Sequence, residues 1–458
     1  MQTILQELAD FVVDLKYNTI PEDVRNNVKN CVMDAIGNGL GGLEVIETRQ
    51  LRSALLQYDQ TPQATIWGIG NKVSVPNAAF INAVAHEGMD FTAAGADAAL
   101  ETNTIPAAIA VAEKEKVDGK SLITAITAGF EIQWRAAMAI DSKGKAFKQR
   151  GFYISGVSGP FGSAAACSKI LNLDKKQTTM ALGLAASQAL GIMLPFAEGV
   201  RTKVIYSGRA AETGVKSAYQ AKEGVISPIR MFEAEIGGFL SSFSDTSKMD
   251  KATWKLGTEF MTRYLCYKLY PCCRYIHPFI DAAFELRDKI KLEDITKMVG
   301  RGIKEYIGYI VRDERPKDAM DAQFNVSWTV AAALINGKID LDTWSDENLS
   351  DLKIWELAKK FEYIADPDVE KRFSYTDLPP FTVPADLTIW TREGKEYTAS
   401  IDQPRGIAPT TYEDLYAKFE HQATKILPLN KVHEIANSCR NLDQLKDTTE
   451  LVNLTIQP

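Results

Sequence analysis

The 458-residue sequence predicts a mainly α-helical protein with a second, smaller α+β domain. A single hydrophobic core stops growing at ~250–300 residues, so a chain of this length is expected to divide into two domains. Helical patterns of small and apolar residues dominate the first part of the chain. After Lys268, β-branched and aromatic residues become frequent, which favours strands. We therefore predict a large helical domain from 1–267 and 405–458, and an α+β domain over 268–404.

The first two helices are predicted from apolar periodicity and from residues that start and end helices. Apolar residues at helical spacing predict a helix over Ile4–Leu15. Thr19, Pro21 and Glu22 then form the pattern of a capping box, in which a threonine and a glutamate three residues later bond to each other's backbone. The second helix is expected to end at Gly41–Gly42.

Three segments define the α+β domain. A strand is predicted in "MVGRGIKEYIGYIV", which carries β-branched and aromatic residues. A β-hairpin is predicted in "ADLTIWTREGKEYTASI", where two alternating runs flank 392–395. Between them, a helix that ends at Gly337 is predicted in "NVSWTVAAALING". The tail from Thr411 to about Asn453 has a helical pattern again and is expected to pack on the first domain.

Composition excludes several classes of protein. The net charge of −7 argues against a nucleic-acid-binding protein, which should present a strongly basic face. We find no charge-free apolar run of about 18 residues, so no membrane span is predicted. The first residues lack the basic start and apolar run of a signal peptide. Six scattered cysteines do not form a disulfide framework, and no paired CxxC or HExxH motif suggests a metal. A cytoplasmic protein without a metal site is expected.

Four polar clusters interrupt apolar, glycine-rich segments and are the candidate functional positions. They contain His86, Glu87 and Asp90; Gly151, Phe152 and Tyr153; Arg201, Lys203 and Arg209; and Lys268, Arg274 and His277. Glycine permits tight backbone turns beside a ligand. Cations in a mostly acidic protein suit an anionic substrate, because arginine pairs with carboxylates through two parallel hydrogen bonds.

Together these segments resemble the MmgE/PrpD family, which includes 2-methylcitrate dehydratases, cis-aconitate decarboxylases and iminodisuccinate epimerases. The resemblance rests on "SGVSGPFGSAAA", "TKVIYSGRAAETGV" and "YPCCRYIHPFIDAA", and it extends to "QPRGIAPTTYEDLYAKF" near the end of the chain. It implies a homodimer of two-domain subunits, with a lid-like α+β domain and a site between the domains. It also implies that no metal or organic cofactor is used.

The resemblance carries some functional residues onto this chain directly. The aspartate of the family's "MDFDDT" motif falls on Asp90, the lysine after "GTMTK" on Lys203, and the lysine of "KPYP" on Lys268. From the resemblance and the polar clusters we predict two groups. The catalytic candidates are Asp90, Tyr153, Lys203 and Lys268, and the substrate-binding candidates are His86, Arg201, Arg274, His277 and Trp328.

Four positions depart from the family pattern. The motif threonine is Ala94, and a family histidine, counted back from Pro106, is Ala99. A second histidine is replaced by Tyr153, and a tyrosine near the lid helix by Trp328. The predicted site therefore lacks several of the family's acid/base or hydrogen-bonding side chains.

Each candidate also has a purely structural interpretation. Asp90 could end a helix, His86 could be a buried histidine with satisfied nitrogens, Tyr153 could be a packed aromatic, and Lys203 could be a solvated lysine. Asp97 and Glu101 lie near Ala99 and could replace the lost histidine or form a solvated loop, and Cys272-Cys273 is expected to be structural.

Three functions remain open. The first is a lyase that dehydrates or decarboxylates a small polycarboxylate by removing a proton next to a carboxylate, with cations stabilising the enolate-like charge. The second is an epimerase that uses Tyr153 and Lys203 as its two bases. Here Arg201 and Arg209 would favour a neutral Lys203 if they face the same pocket. The third is a paralogue that binds a ligand without turning it over.

Overall fold

The structure is a computed structural model that describes residues 2–95, 97–141, 147, 150–374, 378–379, 381–407 and 410–457, with the backbone alone for 196–197. The prediction of a mainly helical fold with a smaller sheet-containing part is confirmed. The helices before residue 268 are α1 (Ile4–Asp14), α2 (Glu22–Gly41), α3 (Ile46–Leu56), α4 (Val75–Glu87), α5 (Glu101–Glu115), α6 (Gly119–Ile140), α7 (Ile154–Ile170), α8 (Lys175–Ala186), α9 (Leu194–Ala197), α10 (Val204–Lys222) and α11 (Phe239–Phe243).

Small residues let the central helices α4, α5, α6, α7 and α10 approach one another closely. Gly129 of α6 shows why: a Cβ placed there would lie 2.7 Å from the backbone oxygen of Gly162 in α7. Almost every residue of α6 and α7 is buried. The small and apolar segments seen in the sequence therefore form the core of the helical part.

Two short hairpins accompany these helices. They pair β1 (Ala64–Thr65) with β2 (Lys72–Val73), and β3 (Ala94–Gly95) with β4 (Ala98–Ala99), both antiparallel. The β3–β4 hairpin follows the chain that leaves α4, and Ala94 exchanges two backbone hydrogen bonds of 3.0 Å with Cys266. This pairing brings residues 90–99 beside the segment that leads to Lys268.

The helix starts agree only partly with the predictions. Thr3 forms a capping box with Gln6 at the start of α1. The predicted capping box of α2 is wrong, because Pro21 occupies the cap position and makes no side-chain cap. The Thr19 side chain instead exchanges hydrogen bonds with the backbone of Lys16 in a separate 3₁₀ turn.

The α+β part contains a four-stranded sheet in the order β6–β5–β7–β8. The strands are β5 (Ile295–Gly302), β6 (Phe361–Ala365), β7 (Ala385–Thr391) and β8 (Glu396–Ile401). β5 runs parallel to β6 and antiparallel to β7, and β7 pairs with β8 in the predicted hairpin. The helices of this part are α12 (His277–Arg287), α13 (Ile307–Ile310), α14 (Ala319–Gln323), α15 (Val326–Asn336), α16 (Asp346–Ser350), α17 (Leu352–Ala358) and α18 (Pro367–Arg372).

The strand predicted in "MVGRGIKEYIGYIV" is correct only as far as Gly302. The following residues form a 3₁₀ turn and then α13. Tyr306 and Ile310 are both fully buried and stand four residues apart, which is the spacing of one helical face rather than of a strand.

The tail is helical and packs on the first helices, as its pattern predicted. It contains α19 (Tyr412–Ala423), α20 (Leu429–Arg440) and α21 (Thr449–Leu454). α19 lies against α2, and a Cβ at Gly37 would meet the Phe419 side chain at 2.9 Å. Across the described part of the chain, every helix is too short or too polar to span a bilayer.

Candidate active site

A cavity of about 180 Å³ lies where the helical part meets the segments around Lys268, Tyr309 and Phe324. This volume is below the ~300–1,000 Å³ of pockets for drug-sized ligands, so the cavity suits a small molecule. Its wall is formed by Glu87, Asp90, Thr92, Ala94, Asp97, Ala99, Phe147, Phe152, Tyr153, Ile154, Ser155, Met193, Lys203, Lys268, Cys273, Arg274, Tyr275, Tyr309 and Phe324.

Two lysines converge on one buried carboxylate in this wall. Asp90 accepts a short hydrogen bond from Lys203, and its other oxygen accepts one of 2.7 Å from Lys268. Lys268 also donates to the backbone oxygen of Asp90 at 2.9 Å, and Lys203 donates to Glu87 at 3.1 Å. These four side chains form one ionic cluster, which we call the Asp90 cluster.

The backbone presents these groups from three separate places: the end of α4, the turn before α10, and the segment after Cys266 that carries Lys268. α4 ends at Glu87, and Asp90 follows with a φ of 51°, in the left-handed region that few residues other than glycine adopt. Lys203 ends the 3₁₀ turn Arg201–Lys203 that runs into α10. A left-handed backbone such as that of Asp90 is often found where a side chain must be held in place at a functional site.

The electrostatics of the cluster keep Asp90 and Lys203 ionised. Burial acts to raise the pKa of Asp90, but the ammonium groups of Lys203 and Lys268 outweigh it and hold that pKa well below its usual range. Burial acts to lower the pKa of Lys203, but Asp90 and Glu87 outweigh it and hold that pKa well above its usual range. Lys203 is therefore protonated at neutral pH.

The structure decides between alternatives that the sequence left open for Lys203. Only 2% of the residue is exposed, so it is not a solvated lysine. The condition for a neutral Lys203 is not met, because neither arginine lines the cavity: Arg209 is half exposed and pairs with Glu212, and Arg201 donates to the backbone oxygen of Gly88 at 2.7 Å.

Tyr153 lies on the cavity wall as the residue before α7. Burial and the nearby Glu87 carboxylate raise the pKa of Tyr153 above its usual value, although the Lys203 ammonium opposes them. Its hydroxyl therefore keeps its proton at neutral pH. Tyr153 and Lys203 thus offer two protonated groups to the same cavity.

Arg274 lines the cavity and ties its own segment together. It donates to the backbone oxygens of Tyr267 at 3.1 Å and Cys266 at 2.9 Å. These bonds fold the chain back around Lys268, so that the two cations reach the cavity from one stretch of backbone. A guanidinium fixed in this way is suited to a carboxylate.

Three of the positions that depart from the family pattern meet in the cavity. Ala94 and Ala99 stand directly opposite each other in the β3–β4 hairpin, and Tyr153 lies on the same wall. Asp97, at the turn of the hairpin, also lines the cavity. Glu101 does not line it and is fully buried, so the expectation of a solvated loop is wrong for this residue.

The other four predicted residues do not line the cavity; three of them are buried, and Arg201 is partly exposed. His86 points toward Glu101, with 3.6 Å between nitrogen and oxygen, and burial lowers its pKa to about 4. His277 packs edge-on against the ring of Tyr270.

Arg201 and Trp328 are also held by structural contacts. Arg201 donates to Gln323 at 3.2 Å and lies 3.5 Å from the Glu47 carboxylate. The Trp328 ring packs on that of Trp344, with 5.8 Å between the centroids. Any influence of these two residues on a ligand in the cavity has to pass through their neighbours.

A second buried cluster, absent from the sequence prediction, lies behind the first. Lys418 of α19 donates to Asp34 of α2 and, at 2.6 Å, to the backbone oxygen of Phe91. Glu101 accepts from the backbone nitrogen of Ala93. These bonds fix the backbone immediately after Asp90. Lys418 was detectable in principle, because it shares the apolar face of α19 with Leu415, Phe419 and Gln422.

Among the described residues, one group could supply three ligand atoms to a metal ion, and it lies outside the cavity. It consists of Asp340, Asp342 and His421. Asp340 caps a 3₁₀ turn, and Asp342 bonds to Lys425 at 2.7 Å. These roles account for both carboxylates without a metal.

The fold and the site define an α-helical protein with a sheet-containing second part and, where the two meet, a small cavity lined by cations and carboxylates. The match to family models makes the assignment specific, since residues 6–252 match the MmgE/PrpD N-terminal domain and 270–444 the MmgE/PrpD C-terminal domain. The chain belongs to the MmgE/PrpD family, and the resemblance noted in the sequence is confirmed.

Named relatives agree with this assignment. The chain is 26% identical to the cis-aconitate decarboxylase-like protein oryM of Aspergillus oryzae, over 98% of this chain and 97% of the relative. It is 25% identical to the cis-aconitate decarboxylase of Aspergillus terreus, over 98% and 95%. It is 23% identical to the mitochondrial 2-methylcitrate dehydratase of Yarrowia lipolytica, over 81% and 73%.

Proposed function

We propose that this protein is a lyase that acts on a small polycarboxylate by acid/base chemistry, without a metal or organic cofactor. The names of the relatives, decarboxylases and a dehydratase, support the lyase class. The observation that carries the proposal is the convergence of Lys203 and Lys268 on Asp90 at a small cavity. Two ammonium groups and the Arg274 guanidinium suit a ligand with more than one carboxylate.

The protonation states assign roles within this proposal. Lys203 and Tyr153 both hold protons at neutral pH, so neither serves as a base in the resting site, and each can protonate a strongly basic centre such as a carbanion. Lys268 and Arg274 hold the substrate carboxylates and stabilise the charge of an enolate-like intermediate. Asp90 orients both lysines and keeps Lys203 charged.

Decarboxylation uses these roles most directly. The bond from the departing carboxylate to its neighbouring carbon breaks, and the electron pair remains on that carbon, spread into a second carboxylate beside Lys268. Lys203 or Tyr153 then protonates the carbon as carbon dioxide leaves, and the donor regains its proton from solvent. Dehydration needs a base first, which requires one of the two donors to lose its proton when substrate binds.

The test is incubation in deuterated water with a panel of di- and tricarboxylates, followed by NMR. Loss of carbon dioxide with one deuterium on the product carbon, or loss of water, supports the lyase. Activity is expected to survive dialysis against a chelator, and its restoration by one divalent ion would contradict the cofactor-independent mechanism. Binding without turnover across the panel would instead favour a ligand-binding paralogue.

An epimerase is the second candidate, because Tyr153 and Lys203 reach the same cavity from different elements. Epimerisation needs one group to take a proton and the other to return one on the opposite face. Inversion with deuterium exchange at that carbon, and no loss of carbon dioxide or water, would identify this reaction.

Three further expectations belong to this proposal. We propose a homodimer, and two domains formed by 1–267 with 405–458 and by 268–404. We also propose a reducing compartment such as the cytoplasm. The six cysteines are all buried as free thiols, which is what a protein of a reducing compartment presents.

A further inference from the structure

The segment that begins at Asp90 has two faces. Every second residue of it lines the cavity, namely Asp90, Thr92 and Ala94. Between them, Phe91 and Ala93 are buried and do not line the cavity. This alternation is that of an extended chain, in which successive side chains point to opposite sides. The two intervening residues lie outside the helices and strands, so hydrogen bonds of regular secondary structure do not fix their place.

Charged side chains bind the backbone of this segment from behind the cavity. Lys418 donates to the backbone oxygen of Phe91 at 2.6 Å, and its ammonium group lies 4.1 Å from the centre of the Phe91 ring. Glu101 accepts a hydrogen bond from the backbone nitrogen of Ala93. Buried backbone groups need hydrogen-bond partners. Here two side chains supply them where a sheet or helix would otherwise do so.

Both side chains come from helices of the core. Glu101 is the first residue of α5, Lys418 belongs to α19, and both are buried. Lys418 is held in turn by Asp34 of α2, with 2.7 Å between nitrogen and oxygen. An ammonium group makes stronger hydrogen bonds than a neutral donor does. The segment is therefore tied firmly to three packed helices.

Stability alone does not explain the use of charged groups at this place. Burying carboxylates and an ammonium group costs hydration, and well-packed apolar residues in place of a buried ionic cluster are often equally stable. What the cluster provides is position, because it fixes the backbone that follows Asp90. Asp90 itself has a φ of 51°, and such a conformation persists only where the surrounding structure imposes it.

We infer that Glu101 and Lys418 are positioning residues, which hold the segment after Asp90 so that its carboxylate meets the two lysines of the Asp90 cluster. Neither residue lines the cavity, so both act through the backbone that they bind. The inference rests on the proposed function, because it assumes that Lys203 and Lys268 act on a substrate. It adds that their alignment depends on side chains that do not touch the ligand.

The experiment compares Glu101→Leu with Glu101→Gln on the substrate found by the NMR panel. Leucine removes the acceptor for the Ala93 N–H, so kcat is expected to fall by up to ~10²-fold, the cost of misplacing a reacting group by about 1 Å. Glutamine keeps an oxygen in the same place and is expected to retain most of the wild-type kcat. The melting temperature of each variant is recorded, and kcat is measured well below it.

Glu113→Leu is the matched control. Glu113 is a buried glutamate of the same helix α5 that also accepts from a backbone nitrogen, that of Thr65 at 2.8 Å, and it does not line the cavity. This variant is expected to lose stability as Glu101→Leu does, but to keep the wild-type kcat. Lys418→Met removes the bond to the Phe91 oxygen and is expected to lower kcat as well, so it takes the place of Glu101→Leu if that variant does not fold.

Each outcome decides the matter. A fall in kcat in Glu101→Leu or Lys418→Met that is absent in Glu113→Leu and in Glu101→Gln supports the inference. Wild-type kcat in Glu101→Leu and Lys418→Met, or an equal loss in Glu113→Leu or Glu101→Gln, overturns the positioning role and leaves the proposed function standing. A wild-type protein that turns over no compound of the panel overturns the proposed function and the inference with it.

Discussion

At the scale of single residues, the Lys203 ammonium group interacts with two carboxylates at once. Its ammonium group donates to both Asp90 and Glu87 in a site where each of the three residues is almost completely buried. Removing it leaves Asp90 with Lys268 and takes from Glu87 the ammonium group that it contacts. Because the loss of a positioned proton donor typically costs ~10²–10⁴-fold, we expect kcat/KM of Lys203→Met to fall by about that factor on the substrate found by the NMR panel.

The matched control for this variant is Lys216→Met. Lys216 is half exposed on α10, where it pairs with Glu212 outside the cavity. Lys203→Arg keeps the positive charge but gives up a readily transferred proton, so it is expected to restore KM more than kcat. Near-full kcat/KM in Lys203→Met would show that Lys203 takes no part in the reaction.

A second prediction at this scale concerns cis-aconitate, the substrate named for several relatives. We expect this protein to decarboxylate it poorly. Ala94, Ala99 and Tyr153 stand where the family pattern has threonine and two histidines, and all three line the cavity. Each lost acid or base typically costs ~10²–10⁴-fold. Carbon dioxide release at a rate comparable to that of an authentic cis-aconitate decarboxylase, measured side by side, would contradict this prediction.

His86 and Glu87 show how far the sequence could predict such residues. The sequence indicated the right cluster, but of these two neighbours the histidine was predicted to contact substrate, and it is the glutamate that lines the cavity. Successive residues of a helix with 3.6 residues per turn point about 100° apart, so neighbours face different surroundings. Which of them faces the cavity depends on how α4 packs against the other helices, and the residues next to His86 and Glu87 do not determine that packing.

At the scale of elements, α2, α4, α5 and α19 bring a buried cluster of titratable groups together behind the site. Asp34 and Glu101 share it with Lys418, and burial raises the pKa of Asp34 to about 7. Further titratable groups that interact with this cluster are Cys31, His86, Tyr267 and Arg274. One cation cannot neutralise two buried carboxylates, so a proton is retained near neutral pH.

This cluster predicts how stability depends on pH. In the unfolded chain Asp34 titrates near ~3.9, whereas its folded pKa is about 7. The stability that its protonated form contributes is therefore complete below about pH 4 and is lost as pH rises through about 7. Asp34→Asn has no such titration, so its free energy of unfolding relative to wild type is expected to rise between pH 4 and pH 8. Urea denaturation across this range measures it, and a constant difference would contradict it.

Gly337, at the C-terminal end of α15, provides a test of how the backbone conformation at a helix end affects the stability of the protein. Gly337 follows α15 with a φ of 69°, and a Cβ there would lie 2.9 Å from the Arg287 side chain. Gly337→Ala is expected to destabilise the protein by about 1 kcal/mol or more, because alanine is strained at this φ. Gly308→Ala is the matched control, since a Cβ at Gly308 meets open space. Equal melting temperatures for the two variants would contradict this role for Gly337.

Helices and strands were predicted well where residues within the element determine it. They were predicted poorly where the element depends on pairing with another segment of the chain. The helix that ends at Gly337 and the β7–β8 hairpin follow from local signals, and both are present. The two-residue strands β3 and β4 gave no signal, because such short strands exist only through their pairing. Their consequence is large, since this pairing places Ala94 and Ala99 together in the cavity.

At the scale of the whole molecule, the site is assembled from distant parts of the chain. Lys203 and Lys268 lie 113 and 178 residues from Asp90. Spacing alone could not join them, because no helix or strand connects positions so far apart. Their assignment as a group came from the family resemblance, and the fold then supplied the geometry. Glu87 and Lys418, which lay outside the predicted set of site residues, became visible only through that geometry.

The last prediction is a homodimer in solution. It rests on family membership and on an exposed apolar segment that is a candidate for the dimer interface. Leu190, Ile192 and Leu194 are each about half exposed within one short segment. Contiguous exposed apolar side chains of this kind are typical of protein interfaces. Light scattering at micromolar concentration is therefore expected to give about twice the subunit mass of 50.6 kDa.

The variant Ile192→Lys tests whether this segment forms the interface. A buried, unpaired ammonium at the centre of an apolar contact is costly, so the variant is expected to shift the measured mass toward one subunit. The matched control is Ile236→Lys, which changes an isoleucine that is 94% exposed elsewhere in the chain and should leave the mass unchanged. A wild-type protein that scatters as a single subunit would rule out the dimer, whereas a dimer unaffected by Ile192→Lys would place the interface on another face.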